Sequence, residues 1–541
     1  MAGWALRDNF MVLIVRFAWA LALTLCAACA AHASPRDAIS AMKGRQVAEW
    51  RRTVIDLGVV GSYYDDPANQ PIWVKGGVPT AAAAELFEAL SRADEDGLDT
   101  NDYLSGPLVD SSRLSGDDDA AGYELAMSQA FLAFARDVHS GQTSPAVNAS
   151  DIVIPRKPVN AVAWLSLARD SGVEAALEKL RPEHPQYFQL RQMLKGYRSL
   201  AAKGGWPAID KGGALKPAMT DPRVGQMRAN LKARGYAGID NPDPDFYDDN
   251  IVAVVEHFQR RNGLESDGVA GAKTIAAMNV TAEERVRQII VNMERWRWLP
   301  EQLGSRYVFV NQAGFEMFLV DQGQVVDRHR VIVGKPFHKT PMFSDQIAYA
   351  EFNPTWTVTP AIAAAEFLPK LRADPGYLAR NDYVLYGGWG AGAPVIDPWS
   401  VDWNSVGGKK FPYRIVQQPG PKNALGVVKF MFPNRFNIYL HDTPTRQLFA
   451  STGRAFSHGC IRVQDPVKFA EKLFGLDNSL TPAGIKKLID SKKTKIASLK
   501  SKVPVHLAYF TVWIDDDGVP NFFDDIYDRD TLVARLLFGE V

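Results

Sequence analysis

The sequence predicts a multidomain α+β protein, with a helical N-terminal half followed by a mainly β C-terminal region. The period of the apolar residues supports this division. Apolar residues recur at helical spacing through about residue 300, and from Tyr307 onward they alternate at every second position. A length of 541 residues allows about three or four domains of ordinary size.

The composition excludes several classes of protein. The chain has 61 basic and 61 acidic side chains, and 46% of its residues are hydrophobic. A nucleic-acid-binding protein would show a basic excess, and a disordered chain would be less apolar. No internal run approaches the roughly 20 apolar residues of a membrane span, which excludes a multi-span membrane protein.

Residues 1–33 have the pattern of an export signal. Arg7 and Arg16 precede a 15-residue apolar run, Phe17–Ala31, and Ala31-His32-Ala33 offers small residues at a cleavage site. We expect a cleaved signal and a periplasmic protein. The alternatives are a retained anchor, which would allow peripheral membrane association, and a lipoprotein attached at Cys29.

The cysteine count gives Cys460 special weight. Cys26 and Cys29 lie inside the predicted signal, so Cys460 is the single cysteine of the expected mature chain and has no intramolecular disulfide partner. A lone cysteine is commonly a small buried apolar residue. The residues around Cys460 favour a chemical role instead.

The first two predicted domains are helical. In residues 34–216, apolar residues recur at helical spacing in Ala81–Ala93 and Tyr123–Val138, and the Gly- and Pro-rich stretch from Gly204 marks the end of this domain.

Residues 217–282 are predicted to form three short amphipathic helices. The arrangement FQRRNGL, DGVAG and a following Thr in this segment resembles the peptidoglycan-binding domain 1 family. A spacer that positions the enzyme without binding glycan is the alternative.

A connecting helix at 283–300 leads into the last predicted domain, residues 301–541. Its early segments, such as Gly314–Gly334, alternate as antiparallel strands. Residues 361–415 interrupt this pattern with a short helix and a segment rich in Gly and Trp. Because solvated linkers rarely keep several tryptophans, we expect a capping insert that acts as a mobile lid.

Two segments near the end of the β region contain the candidate catalytic residues. NIYLHDTP places His441 at the end of a strand, and FSHGCIRV places Cys460 after a glycine turn. A nearby base turns a thiol into a strong nucleophile, and a histidine can accept its proton. Gly459 allows a sharp turn whose N–H groups can face an oxyanion. Adjacency alone would nominate His458 as the base.

The spacing of these residues resembles the L,D-transpeptidase catalytic domain of the YkuD type. A histidine is followed after fifteen residues by Ser-His-Gly-Cys-Ile-Arg. By this resemblance His441 is the base, Cys460 the nucleophile, and His458 and Ser457 support the loop. Arg462 is a substrate-binding or loop-anchoring residue, although some forms of the pattern have Asn at that position.

The resemblance extends to the domain order of the YcbB-type periplasmic enzymes. It implies that a backbone carbonyl, here that of Asp442, orients His441. The substrate-binding candidates are Arg462, Tyr439, Trp389, Trp399 and Trp403.

The resemblance also implies a reaction. Cys460 attacks a tetrapeptide stem, D-alanine leaves, and an acceptor stem resolves the thioester to give a 3→3 cross-link. Carbapenem acylation of Cys460 is expected. The alternatives are use of the same acyl-enzyme for lipoprotein attachment or stem hydrolysis, and a non-catalytic wall-binding protein. We expect no cofactor and no metal, since no ligand spacing such as HExxH is present. The expected partners are donor and acceptor peptidoglycan stems.

Overall fold

The computed structural model describes residues 34–42, 45–50, 53–104, 108, 114–144, 149–407 and 411–539. The predicted export signal lies outside these residues. The chain divides into two compact units. The first comprises the described residues up to Ser91 with Thr100–Ala133 and Asn160–Ala176, and the second comprises Arg92–Asp99, Phe134–Val159 and the chain from Leu177. Over the described ranges, no helix is both long and apolar enough to cross a membrane.

The first unit is helical with two short hairpins. Its helices are Pro35–Ala41, Leu57–Tyr64, Ala81–Ser91 and Ala161–Ser171, and two more, Asp117–Ser140 and Val173–Leu180, begin here and end in the second unit. Its hairpins are Val47–Trp50 with Thr53–Asp56 and Val74–Lys75 with Val78–Pro79. The buried Glu124 carboxylate accepts hydrogen bonds from three successive N–H groups, those of Ile72, Trp73 and Val74. These bonds secure the start of the second hairpin on the long helix.

The described part of the second unit contains eight complete α-helices outside the insert, and three of them form a small module with its own core. The helices are Pro185–Ala202, Pro222–Ala233, Asp249–Arg261, Ala272–Asn279, Ala282–Trp298, Pro466–Leu476, Pro482–Asp490 and Arg529–Phe538. The three between Pro222 and Asn279 enclose a separate apolar cluster that includes Met227, Phe258 and Met278. Asp221 and Asp248 begin the first two by accepting hydrogen bonds from N–H groups of the first turn. The predicted three-helix module is therefore present.

The β region forms one mixed sheet of ten strands. They are β1 (Ile152–Val153), β2 (Arg306–Asn311), β3 (Glu316–Asp321), β4 (Gln324–Gly334), β5 (Met342–Phe352), β6 (Val428–Met431), β7 (Leu440–His441), β8 (Ala455–Ser457), β9 (Ile461–Val463) and β10 (Lys495–Ala508). Eight pair in the order β6-β7-β9-β4-β3-β2-β10-β5, and β5 pairs again with β6, so the sheet closes on itself. The remaining two, β1 and β8, pair with β5 and β4.

The sheet differs from the antiparallel arrangement that the sequence predicts. The β7–β9, β2–β10, β4–β8 and β1–β5 pairs are parallel. Strand alternation reports which face a residue occupies but not the direction of its neighbour, so the sequence pattern could not separate the two cases. A short hairpin, Val512–Ile514 with Pro520–Phe522, follows β10.

Apolar clusters lie on two sides of this sheet. One contains side chains such as Val308, Val333 and Leu440 together with Phe469 and Phe474 of the helix that starts at Pro466. The other contains Phe309, Phe318 and Phe510 together with Trp296 of helix Ala282–Trp298 and Leu190 of helix Pro185–Ala202. The sheet is thus covered by helices and held as a rigid support for the loops at its edge.

The insert between β5 and β6 is a small folded subdomain with its own core. Strands Trp356–Thr357, Tyr383–Tyr386 and Arg414–Gln417 form a three-stranded sheet, and its helical segments are Pro360–Ile362, the π-helical Ala363–Phe367, Leu368–Ala373 and Tyr377–Arg380. Its core includes Phe367, Leu371, Leu385, Trp403 and Ile415. The predicted glycine-rich lid is therefore folded over most of its length, because its aromatic residues bury one another.

Candidate active site

Strand register places the candidate catalytic residues on one face of the sheet. In the parallel pair β7–β9, Leu440 lies opposite Ile461 and His441 opposite Arg462. The Ile461 N–H donates to the Tyr439 carbonyl oxygen at 3.1 Å. Tyr439 and Cys460, one residue earlier on each segment, are therefore also neighbours. Side chains two apart in a strand share a face, which brings Tyr439, His441, Cys460 and Arg462 together.

His441 is buried and its ring is fixed by its own chain. The Nδ1 atom lies 2.5 Å from the carbonyl oxygen of Asp442. Because a carbonyl oxygen only accepts hydrogen bonds, Nδ1 carries the proton of the neutral ring and Nε2 keeps its lone pair. Burial, and after it the charges of Arg462 and Lys429, lower the pKa of His441 to about 3, against the opposing effect of the Asp442 carbonyl. His441 is thus a neutral imidazole at ordinary pH.

Cys460 is partly buried beside Tyr439. Burial raises the pKa of the Cys460 thiol, and hydrogen bonds from the Tyr439 backbone and side chain, followed by the charges of Lys429 and Arg462, act in the opposite direction. The Cys460 Sγ atom also lies 3.7 Å from the carbonyl oxygen of Asn437. The resting state is therefore a thiol near a neutral imidazole. Proton transfer must accompany nucleophilic attack.

The turn before Cys460 is fixed by backbone and hydroxyl contacts. Gly459 has φ = 116°, which a residue with a Cβ rarely adopts. Ser457 Oγ donates to the Cys460 carbonyl oxygen at 2.5 Å and accepts from the Gly459 N–H at 3.0 Å. The Gly459 N–H, one of the two amides of this turn that could face an oxyanion, is therefore already engaged; the other is the N–H of Cys460. Within the described ranges the Cys460 N–H has no hydrogen-bond acceptor.

A second set of contacts supports this turn through Thr340, in the segment between β4 and β5, which the C-terminal Tyr527 contacts in turn. Thr340 Oγ1 donates to the Gly459 carbonyl oxygen at 2.8 Å and accepts from the Gly334 N–H at 2.9 Å. Tyr527 donates its hydroxyl to the Gly334 carbonyl oxygen at 2.6 Å. Thr340 and Tyr527 were not candidates from the sequence, because the contacts join positions about 120 and 190 residues away along the chain.

Two cations flank the thiol and the imidazole. Lys429 lies directly opposite His441 in the β6–β7 pair, and its Nζ atom lies 4.4 Å from the centre of the Tyr439 ring. Arg462 donates to Thr445 Oγ1 at 3.2 Å. Burial, the larger influence, lowers the pKa of Arg462, and Cys460 opposes this. Both cations favour an anionic sulfur over a neutral one.

An ion pair joins the insert to the cysteine turn. His458 Nε2 lies 2.7 Å from Glu366 Oε1 in the π-helical turn of the insert. The sequence does not predict a functional contact for Glu366, because a single carboxylate in a helical segment is usually a solvent-exposed residue. The His338 ring also lies near His458, with the two ring centres 5.0 Å apart.

The three predicted insert tryptophans occupy different environments. Trp389 and Trp399 are 47% and 67% exposed and remain available to a ligand. Trp403, which we predicted as a substrate contact, is buried at 4% exposure in the core of the insert, and its Nε1 donates to the Pro398 carbonyl oxygen at 2.8 Å. It is a structural residue of the insert, because its indole is already covered.

Within the residues that the structure describes, no group of three or more His, Cys, Asp or Glu side chains is placed to hold a metal ion.

Comparison with protein families assigns three regions of the chain. Residues 305–487 match the L,D-transpeptidase catalytic domain, residues 220–278 match the family described as "Putative peptidoglycan binding domain", and residues 59–194 match a scaffold domain. The chain therefore contains an L,D-transpeptidase catalytic domain of the YkuD family and a peptidoglycan-binding domain. The family resemblance inferred from the sequence is confirmed.

Individual proteins are also similar to parts of this chain. The chain is 35% identical over 251 residues to a protein of Haemophilus influenzae named "Putative L,D-transpeptidase", a match that spans 46% of this chain and only 50% of that relative. Among solved structures, it matches an L,D-transpeptidase from Stackebrandtia nassauensis at 15% identity, over 56% of this chain and 96% of that one, with a TM-score of 0.21. An L,D-transpeptidase fragment from Xylanimonas cellulosilytica matches at 16% identity over 55% and 99%, with a TM-score of 0.14.

Proposed function

We propose that this protein forms 3→3 cross-links between peptidoglycan tetrapeptide stems, with Cys460 as nucleophile and His441 as base. The observation that supports this most strongly is the β7–β9 register, which sets His441 opposite Arg462 and Tyr439 beside Cys460. In this proposal the unprotonated Nε2 of His441 accepts the proton of the Cys460 thiol. The peptidoglycan substrate and the predicted export signal together favour the periplasm.

In the first half of the reaction, the Cys460 sulfur attacks the carbonyl carbon of the third residue of a donor stem. The thiol proton passes to His441 Nε2 as the carbon–sulfur bond forms. The carbon–nitrogen bond to the terminal D-alanine then breaks, and His441 returns the proton to the departing amine. The product is a thioester on Cys460 and free D-alanine.

In the second half, the side-chain amine of an acceptor stem attacks the thioester carbon. Its proton passes to His441 as the carbon–nitrogen bond forms, and the breaking carbon–sulfur bond returns the electron pair to sulfur. His441 then gives that proton to the Cys460 thiolate. The enzyme is regenerated and the two stems are joined between their third residues.

Other groups near Cys460 fit supporting roles in both halves. The Cys460 N–H is the amide we assign to the oxyanion of the tetrahedral intermediate, since the Gly459 N–H donates to Ser457 Oγ. Arg462 and Lys429 would balance the negative charge that develops on sulfur and oxygen, and they could also meet stem carboxylates. Asp442 keeps the Nδ1 proton of His441 in place.

The helical domains would position the catalytic domain at the peptidoglycan of the cell wall. We assign glycan contact to the three-helix module between Pro222 and Asn279, while a spacer role remains the alternative. The scaffold segment has no catalytic assignment.

The proposal is tested by incubating the purified protein with sacculi that contain tetrapeptide stems and analysing the released muropeptides by mass spectrometry. Dimers linked 3→3 together with free D-alanine are the expected products, and Cys460→Ala is the matched control. Tripeptide monomers alone would show hydrolysis, and stem-linked lipoprotein peptides would show attachment. No change relative to the control would indicate a wall-binding protein without activity.

A further inference from the structure

The cysteine turn is tied to the insert by the contact between Glu366 and His458. The Oε1 and Nε2 atoms are 2.7 Å apart. A carboxylate oxygen accepts, so His458 Nε2 carries a proton and cannot at the same time accept one from the thiol. The contact therefore occupies the histidine that lies nearest to Cys460 in sequence.

Glu366 is presented by a firmly packed part of the insert. It lies in the π-helical turn Ala363–Phe367, whose first and last residues are both buried in the insert core. The Phe367 ring packs edge-on against Tyr383 with centres 5.1 Å apart. A π-turn interrupts regular α-helix and frequently occurs at functional sites. The Glu366 carboxylate thus has a fixed base from which to reach the cysteine turn.

His458 is held equally well on the catalytic side. Its neighbours Ser457 and Gly459 are both buried, and the Ser457 hydroxyl bonds the two backbone groups that follow His458, the Gly459 N–H and the Cys460 carbonyl oxygen. Among the described residues, the titratable side chains that lie against its ring are Glu366 from the insert and His338 from the segment after β4. Displacing the His458 ring would therefore strain the same backbone that carries Cys460.

The Glu366–His458 contact is also one that can open. The two side chains are 43% and 31% exposed, so water screens their attraction and competes for both groups. Such a contact can hold the insert against the cysteine turn and can still break and re-form.

We propose that Glu366 is a positioning residue for the transpeptidase reaction, which docks the insert on the cysteine turn by holding His458. The inference rests on the proposed function and adds to it a residue that couples the insert to the nucleophile. With the contact formed, the turn keeps Cys460 and its N–H in register with His441. With the contact broken, the thiol is still present but is aligned for a smaller fraction of the time.

The test is a double-mutant cycle on Glu366→Ala and His458→Ala, with Glu366→Gln as the conservative variant. The matched control is Asp374→Asn, which removes an exposed carboxylate that pairs with Arg380 inside the insert. Acylation of Cys460 by a carbapenem is followed by intact-protein mass spectrometry at several drug concentrations. Alkylation by iodoacetamide, which requires a thiol but no transpeptidase activity, is measured beside it.

We expect Glu366→Ala to lower the maximal acylation rate about 3- to 10-fold, with little change in the half-saturating drug concentration and in the thermal unfolding midpoint. Glu366→Gln should recover most of the rate, since an amide oxygen still accepts from Nε2. In the His458→Ala background the same change should have no further effect.

Equal losses in both backgrounds, or an Asp374→Asn loss as large as that of Glu366→Ala, would overturn the positioning role. So would full acylation by Glu366→Ala. If the native protein makes no cross-links but the alkylation rates still show coupling between the two positions, the proposed function fails and the positioning role stands.

Discussion

The carbonyl oxygen of Asp442 lies 2.5 Å from Nδ1 of His441, the residue that precedes it. The backbone itself therefore supplies the third group that orients the histidine. A carboxylate in this place would stabilise an imidazolium, whereas a neutral carbonyl mainly selects the tautomer. Burial, and not the carbonyl, keeps His441 neutral: it lowers the pKa to about 3, against the opposing effect of the Asp442 carbonyl.

The position of Asp442 depends on Gly426. A Cβ added at Gly426 would lie 2.2 Å from the Asp442 Cγ atom, and Gly426 has φ = 60°. Gly426→Ala should shift Asp442 and, with it, the ring of His441. We expect a loss of about 10-fold or more in the rate of Cys460 acylation, since a misplacement of about 1 Å can cost about 100-fold.

Gly453→Ala is the matched control for that change, because a Cβ there meets nothing within 4 Å. It should acylate at the native rate. Equal activity of the two alanine variants would contradict the link from Gly426 to His441.

The two histidines should differ in importance. His441→Ala should lower the acylation rate by about 10²–10⁴-fold, the usual loss for a positioned base. His458→Ala should lose less, because its Nε2 is engaged with Glu366. Stopped-flow or mass-based measurement of Cys460 acylation decides between them. The reverse ranking would make His458 the base.

Acylation should be insensitive to mildly acidic pH. With a His441 pKa of about 3, the imidazole stays unprotonated well below its ordinary value of 6.5. Because burial raises the pKa of Cys460, the thiol also stays protonated across this range. We expect carbapenem acylation rates to agree within about 2-fold between about pH 5 and 8. A base with the ordinary histidine pKa would instead lose about 30-fold over that range.

Covalent labelling should depend on Cys460 alone. Cys460→Ala should show no carbapenem adduct by intact-protein mass spectrometry and should keep the native circular dichroism and unfolding midpoint. His441→Ala serves as the comparison, since it retains the thiol and should still acquire the adduct slowly. An adduct on Cys460→Ala would place the nucleophile elsewhere.

The insert tryptophans should separate into two classes. Trp403→Ala should destabilise the insert by about 3–5 kcal/mol, as expected for a large side chain removed from a core. Trp399→Ala should leave stability within about 0.5 kcal/mol, since its ring is 67% exposed. Hydrogen exchange of the insert amides measures the first effect, and donor affinity of the Trp399 variant tests substrate contact. Similar exchange in both variants would contradict the assignment.

The sequence by itself determined the local features of this protein. Helical spacing predicted the helical regions, alternation predicted the β region, and the fixed distance between His441 and the Ser457–Cys460 segment identified the catalytic family. These features depend on a residue and its near neighbours, so they can be read along the chain. The catalytic roles of His441 and Cys460 remain predictions until the variants are measured.

Only the tertiary structure decided how distant segments meet. Strand direction is set by the connections between strands, and for this reason alternation could not reveal the parallel β7–β9 pair that gathers the site. The burial of Trp403 follows from the collapse of the insert around its own aromatic residues. The contacts of Glu366 with His458 and of Thr340 with Gly459 join positions about 90 and 120 residues apart. Such contacts leave no periodic trace in a sequence, because they arise from packing and not from local conformational preference.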